Sequence, residues 1–170
     1  CEELLLKYKY DKRIWHISGS CNLDEDIKFN DDTYYFSKLN HIWGWASWSN
    51  RWKNYDINMS KFDDFIEQDI ISNITSDKLL KEFWINNFKA VKSDKIDTWD
   101  YQWYFTIWIN NGLSILPTKN MISNIGFGEN ALHTRDKLHK LSNLKNYEIE
   151  FPICNPCLLY TSDAADECLS

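Results

Sequence analysis

The sequence predicts an α/β fold, and three observations predict it. Two short stretches, "RIWHISG" (13–19) and "TYYFS" (33–37), alternate or are rich in residues that suit a pleated surface, so both read as strands. A run of helical patterns fills the middle of the chain. Two further short extended segments, "LSILP" (113–117) and "NMISNIG" (120–126), close the order. Helix–strand–strand–helices–strand–strand specifies α/β and nothing finer. At 170 residues the chain suffices for one domain with its own core and is too short for two ordinary ones.

The elements follow in order. Residues 2–10 read as the end of an amphipathic helix that stops near Asp11-Lys12. The segment 20–32 is a polar, acidic loop. A helix is expected from about Trp45 to Tyr55, with further helices over 60–73 and, behind the cap Ser76-Asp77, over 77–90. Asp97 or Thr98 caps one more helix, "TWDYQWYFTIWINNG", which ends at Asn111-Gly112, a normal C-terminal stop. "FGENALHTRDK" is a polar, glycine-containing loop.

Composition narrows the function. The chain is 44% hydrophobic and 26% charged, as in ordinary globular proteins, but its aromatic content of 16% is high. A formal charge of -6 argues against nucleic acid as partner, since a binder normally shows a basic stripe. No apolar run approaches the roughly eighteen residues of a membrane span and no signal peptide opens the sequence, so the expected location is cytoplasmic. Peripheral membrane association stays open.

Both ends carry a further expectation. "CEELLLKYKY" reads as the second half of a helix. The last residues, from "CLLYTSDAADE", resemble the translated transposase adapter of sequencing libraries, and 157–170 are therefore set aside as a non-native tail. That leaves 1–156 as one partial domain. It also deprives "CNPC" (Cys154, Cys157) of meaning as a redox or zinc pair, and Cys1, Cys21 and Cys154 have no metal-ligand spacing.

Three blocks carry a resemblance. "CEELLLKYKYDKRIWHISG", "YYFSKLNHIWGWASWSNRWKNYD" and "WDYQWYFTIWINNGLSILPTKNMISNIGFGENALHT" together resemble bacterial sugar transferases of the nucleotide-diphospho-sugar transferase superfamily. The order Gly-Trp, tryptophan-rich segment, Trp-Asp before a helix, then Ser-X-X-X-Phe-Gly is also similar to N-acetylglucosaminyltransferase I-type enzymes. The resemblance covers about residues 1–134. It implies the C-terminal, acceptor-side portion of a GT-A (Rossmann-like) glycosyltransferase fold, without the N-terminal nucleotide-binding strands.

The activity so implied is transfer of a sugar from a nucleotide-diphospho-sugar donor to a hydroxyl of a glycan or surface-polysaccharide precursor. In that fold an Asp-X-Asp or Glu-Asp-Asp motif at a strand end holds a divalent cation, manganese or magnesium, against the diphosphate, and a later carboxylate deprotonates the acceptor. The motif is expected upstream of Cys1, so this chain by itself is expected to be inactive and to bind no cation tightly. "DED" (Asp24, Glu25, Asp26) imitates the motif but has no hydrophobic strand before it. Asp31-Asp32 precedes a strand, and Asp63-Asp64 sits on a solvated helix.

The implied base is Asp100, in the first turn of a helix between Trp99 and Trp103. By spacing alone the same carboxylate merely stabilises a helix N-terminus, where the helix dipole favours negative charge. The resemblance implies donor or acceptor contacts at Trp43, Gly44, Trp45 and Trp99, and at Phe127, Gly128 and Glu129 in a glycine-containing loop. It implies for His133 a ligand role to metal or diphosphate; a lone loop histidine is otherwise simply solvated. His41 is placed on the acceptor side, and His16 in a strand, as a core or edge residue.

Four tryptophans crowd "HIWGWASWSNRW". On a helix, Trp45, Trp48 and Trp52 share one face, and such a face is normally core, so Trp48 and Trp52 are expected to hold the fold. Trp43-Gly44-Trp45 is expected to touch sugar. Arg51 and Lys53 read as solvated, with a diphosphate role for Arg51 as the alternative. The competing class is a non-catalytic carbohydrate-binding or interaction domain with the tryptophans as its platform; a third is a degenerate homologue that keeps the fold without activity.

Overall fold

The computed structural model describes residues 1–23, 32–126, 142 and 144–156. The protein is a mixed α/β structure built on a small three-stranded sheet. Its elements are α1 (Glu2–Lys7), β1 (Ile14–Ile17), β2 (Tyr34–Ser37), α2 (Ser49–Trp52), α3 (Phe62–Glu67), a 3-10 turn (Ile70–Asn73), α4 (Lys78–Lys92), α5 (Asp100–Ile109) and β3 (Leu113–Pro117). The strand order is β1-β3-β2, with β1 parallel and β2 antiparallel to the central β3.

α5 is the centre of the molecule. Trp103, Phe105, Ile107 and Trp108 are all buried, together with Gln102 and Thr106, so the helix is covered on most of its circumference. α4 lies beside it and buries Trp84, Phe88 and Val91 at helical spacing. Asp77 caps α4, its carboxylate accepting from the N–H groups of Leu79 (2.6 Å) and Leu80 (3.1 Å), which satisfies two otherwise orphan donors. α3 adds Phe62 and Phe65 to the same core.

Both long helices end alike. Asn111 (φ 52°) closes α5, with Gly112 N–H reaching Ile107 O and Asn111 N–H reaching Trp108 O. Asp94 (φ 55°) closes α4 with Lys95 to Ala90 and Asp94 to Val91. This double bond around a left-handed residue satisfies the last carbonyls. The left-handed position after α5 is Asn111. Gly112 is required for another reason: a Cβ there would lie 2.7 Å from the Trp15 ring.

β1 contains a bulge. Ile14 pairs with Leu113 while His16 pairs with Ser114, so two residues of β1 answer one step of β3. Trp15 and His16, adjacent in sequence, consequently both meet Trp103 of α5. Ile14 and Ile17 join Leu4, Tyr34 and Ile115 in a second, smaller cluster between the sheet and α1.

Several expectations need correction. The helix expected from Trp45 to Tyr55 shrinks to α2. Ala46 exchanges both backbone hydrogen bonds with Ile17 at the edge of β1, and the Ser47 hydroxyl donates to Trp15 O, so this stretch is committed to the sheet edge. Trp45, Trp48 and Trp52 therefore do not share a helix face. Trp48 is half-buried and its indole N–H donates to Leu5 O, while Trp52 is 40% exposed. Arg51 is buried, not solvated: its guanidinium bonds Ile14 O, Asp11 O and Asn50 Oδ1 and lies over the Trp48 ring. Those bonds close the free edge of β1. Lys53 is exposed as expected.

The helix expected over 60–73 is broken by Asp69, whose φ of 47° separates α3 from the 3-10 turn. The helix expected over 2–10 ends already at Lys7. Residues 120–126 form no strand, because β3 has a partner on each side already. They are held instead by Asn120, whose amide takes the Cys21 N–H and donates to Ile122 O and Lys145 O. Neither Asp97 nor Thr98 caps α5; Trp99 occupies the cap position and no side chain bonds the helix N–H groups from it.

Candidate functional site

The aromatic residues of the 45–55 segment and the start of α5 form one assembly. The Trp45 ring stacks on His16 on one side (centroids 5.3 Å apart, 16° between planes) and on Trp99 on the other (5.5 Å, 27°). Trp52 lies flat on Tyr55 (4.7 Å, 13°) and against Trp103 (4.9 Å). Bulge, edge bridge and helix start thus bring three distant segments together. Offset and tilted ring pairs of this kind are favourable beyond their buried area.

His16 supports the assembly from inside. It is fully buried, and its Nδ1 accepts the indole N–H of Trp103 at 3.1 Å. An indole N–H only donates, so the imidazole proton sits on Nε2 and donates to His41 O at 2.9 Å. Burial lowers the His16 pKa to about 4, which keeps the ring neutral. His41 is half-buried, accepts from the Asn22 amide at Nδ1, and is likewise lowered to about 4 by burial. It touches the inner support of the stack and not its exposed face.

Asp100 stands at the first turn of α5, half-buried, immediately after the stacked Trp99. Its Oδ1 accepts from the Thr98 hydroxyl and from the Tyr101 N–H (3.0 Å). It faces phenols: burial first, and the Asp100 charge second, raise the pKa values of Tyr55, Tyr101 and Tyr104. The Tyr55 hydroxyl donates to Trp99 O at 3.1 Å and ties the two sides of the assembly together. A fixed carboxylate next to a rigid aromatic surface can accept a proton from a hydroxyl compound resting on those rings.

The other residues singled out by sequence divide. Trp45 and Trp99 are brought together with Asp100. Trp43 is half-buried. Gly44 has a φ of 58°, and a Cβ on it would lie 2.5 Å from Ile122 Cδ1, so its close approach is to a side chain of this protein. Phe127, Gly128, Glu129 and His133 lie outside the described residues, as do Asp24, Glu25, Asp26, Asp31 and the segment 157–170. Sequence reasoning missed the exposed Trp52 and the half-buried Tyr55 as partners of Trp99, and His16 as their support. The available signal was the polar company of Trp52 and Tyr55, with Lys53, Asn54 and Asp56 around them.

Among the described residues no three His, Cys, Asp or Glu side chains come together, and none of the three strands ends in paired carboxylates. These residues do not fit the divalent cation that the resemblance implies. A cavity of about 470 Å³ opens on the other cluster, among Leu4, Leu6, Ile17, Tyr34, Ile115 and Phe151. Glu2, Glu3, Ser18 and Thr33 supply polar groups to its mostly apolar wall, but Asp100 and the tryptophan stack do not line it; the aromatic assembly is the better candidate despite being a surface. No helix among the described residues is long and apolar enough to cross a membrane. No family model, curated protein or solved structure matches this chain.

Proposed function

We propose that this chain is the acceptor-side portion of a GT-A-like glycosyltransferase, with Asp100 as its general base. The observation that carries the reading is the stacking of Trp45 on Trp99, which brings a ring more than fifty residues away in sequence beside the Asp100 carboxylate. In the proposed reaction an acceptor hydroxyl gives its proton to Asp100 as its oxygen attacks the anomeric carbon of a nucleotide-diphospho-sugar. The new C–O bond forms as the bond from that carbon to the diphosphate breaks, with inversion. The Thr98 hydroxyl and Tyr101 N–H fix the orientation of the carboxylate, which limits the reorganisation needed at the moment of transfer. No step is routed through a metal ion, because the described residues offer none a site.

A second reading, a carbohydrate-binding domain without catalysis, is favoured by the exposure of Trp52 (40%) and Trp99 (41%). Such modules are typically sandwiches of two antiparallel sheets, whereas this fold surrounds a buried helix with one small mixed sheet. The deciding experiment is Asp100→Asn in the full-length protein carrying this sequence. The transferase reading expects sugar transfer to fall about 100-fold or more, the usual contribution of a positioned base, with glycan binding retained. Transfer that survives the substitution would remove Asp100 as base.

A further inference from the structure

The most exposed rings of the assembly are not those of the Trp-Gly-Trp step. Trp52 and Trp99 each leave about two-fifths of their surface open, and they meet edge to face at 6.4 Å and 70°. Tyr55 lies flat against Trp52 and bonds the Trp99 carbonyl. Beneath them sit Trp103, fully buried and bonded to His16, and Trp45, stacked on both His16 and Trp99. The patch is therefore stiff before anything binds to it. Rigid rings lose little conformational freedom on binding, which favours affinity for a small ligand.

The patch is bordered by carboxylates. Asp100 is half-buried, and both Asp100 and Asp56 act on the Tyr55 phenol. A protein partner covering these rings with apolar surface would desolvate those charges, and the centres of protein interfaces are depleted in charge for that reason. A pyranose has the opposite distribution: C–H groups on one ring face and hydroxyls around its rim. The C–H face matches the indoles and the rim matches the carboxylates. A sugar that is itself anionic would meet two like charges.

Resting on the acceptor-side reading above, we infer that the Trp52–Tyr55–Trp99 surface is the acceptor subsite and takes an uncharged pyranose by its C–H face. One rim hydroxyl then points to Asp100. Gly44 contributes no contact to this subsite, since the space over it is filled by Ile122.

The test uses the isotope-labelled 170-residue chain, whose nine indole N–H groups report separately by NMR. The probes are the methyl pyranosides of glucose, galactose and N-acetylglucosamine, with methyl glucuronide as the charged comparison. The expected result is saturable movement of the Trp52 and Trp99 signals with at least one neutral probe. Affinity should fall about tenfold in Trp52→Ala and in Trp99→Ala, be largely kept in Trp99→Phe, and be about tenfold weaker for the glucuronide. Sugar-induced shifts that persist in both alanine variants, shifts confined to other tryptophans, no saturable shift with any neutral probe, or equal affinity for the glucuronide would each overturn it.

Transfer assays on the full-length protein separate this inference from the reading beneath it. Transfer lost in Asp100→Asn but unchanged in Trp52→Ala and Trp99→Ala overturns the subsite and leaves the transferase. Neutral sugar bound on Trp52 and Trp99, with transfer unaffected by Asp100→Asn, leaves the subsite and overturns the base.

Discussion

A single buried imidazole couples the aromatic assembly to pH. His16 is bonded at both nitrogens, to the Trp103 indole and the His41 carbonyl, in the only neutral tautomer that suits both. Adding a proton at Nδ1 would set two donors against each other in a fully buried site. Burial lowers the folded pKa to about 4, against an ordinary value of 6.5. Because the folded value is depressed for a base, the stabilisation is complete above pH 6.5. It is lost as the pH falls, since the unfolded chain takes up a proton that the folded one refuses, and the loss is complete near pH 4. The displacement corresponds to about 3 kcal/mol for His16, with a smaller share from the half-buried His41. Urea unfolding at intervals between pH 7 and pH 4 should show this decline, and His16→Gln, which cannot titrate, should flatten it while lowering stability at pH 7. An equally steep decline in the variant would assign the pH dependence to other groups. Asp11 and Asp56, lowered by hydrogen bonds to Arg13 and to Ser60 and Asn58, contribute only below this window.

At the level of elements, the turn that carries Trp45 to the stack depends on the contact between Gly44 and Ile122. Gly44 sits at φ 58°, a left-handed conformation that costs an L residue about 1 kcal/mol, and a Cβ would also lie 2.5 Å and 2.6 Å from the Ile122 side chain. Gly44→Ala is expected to destabilise the fold by about 2–4 kcal/mol, the overlap adding to the backbone term. In an Ile122→Ala background the overlap disappears, so the same substitution should cost only the backbone share of about 1 kcal/mol. Equal costs in the two backgrounds, measured by denaturant unfolding, would show that Ile122 does not press on this turn. This region also marks the limit of what was legible in the sequence. β1, β2, β3, the capped α4 and the Asn111-Gly112 stop after α5 all follow from local pattern, because their hydrogen bonds are made within the element or its ladder. Ala46 and Ser47 spend their polar groups on β1, and Arg51 spends its guanidinium on the same strand edge. Those partners lie about thirty to forty residues away, so a helical spacing of tryptophans read as a helix. For the candidate site, Asp100 and Trp99 were legible as a motif at a helix start. The Trp52–Tyr55 pair was not, since the exposure of Trp52 follows from the loss of that helix.

Over the whole molecule, the sheet divides two unequal layers. On the side of α5, fourteen buried hydrophobic residues among those described form one cluster, with ring upon ring from Trp84 through Trp108 and Phe88 to Phe105. On the side of α1, among the described residues, the smaller group Leu4, Ile14, Ile17, Tyr34 and Ile115 is buried together, and a cavity of about 470 Å³ lies among them. α1 has six residues, of which only Leu4 is buried, while Leu6 is 68% exposed. It is tied down by the Trp48 indole to Leu5 O and by the Lys7 ammonium to the Tyr34 hydroxyl (3.3 Å) and Asn155, with Tyr8, just past its end, bonded to the Tyr34 hydroxyl at 2.7 Å. A helix so short is marginal without packing, and a cavity beneath it removes contacts that would have held it. Local opening should therefore begin on this side and leave the aromatic layer intact. In native-state hydrogen exchange the amides of α5 and β3 are expected to open only with the whole molecule. Those of α1 should exchange through a smaller opening, lower by about 2 kcal/mol or more, about thirtyfold faster. Filling the cavity by Leu4→Phe would narrow the gap if the void is the cause, without changing exchange in α5 beyond the gain in global stability. Equal protection of α1 and α5 would mean that the two layers unfold as one unit. The same asymmetry bears on function, because the exposed tryptophans and Asp100 stand on the layer that opens last, as a preorganised site requires.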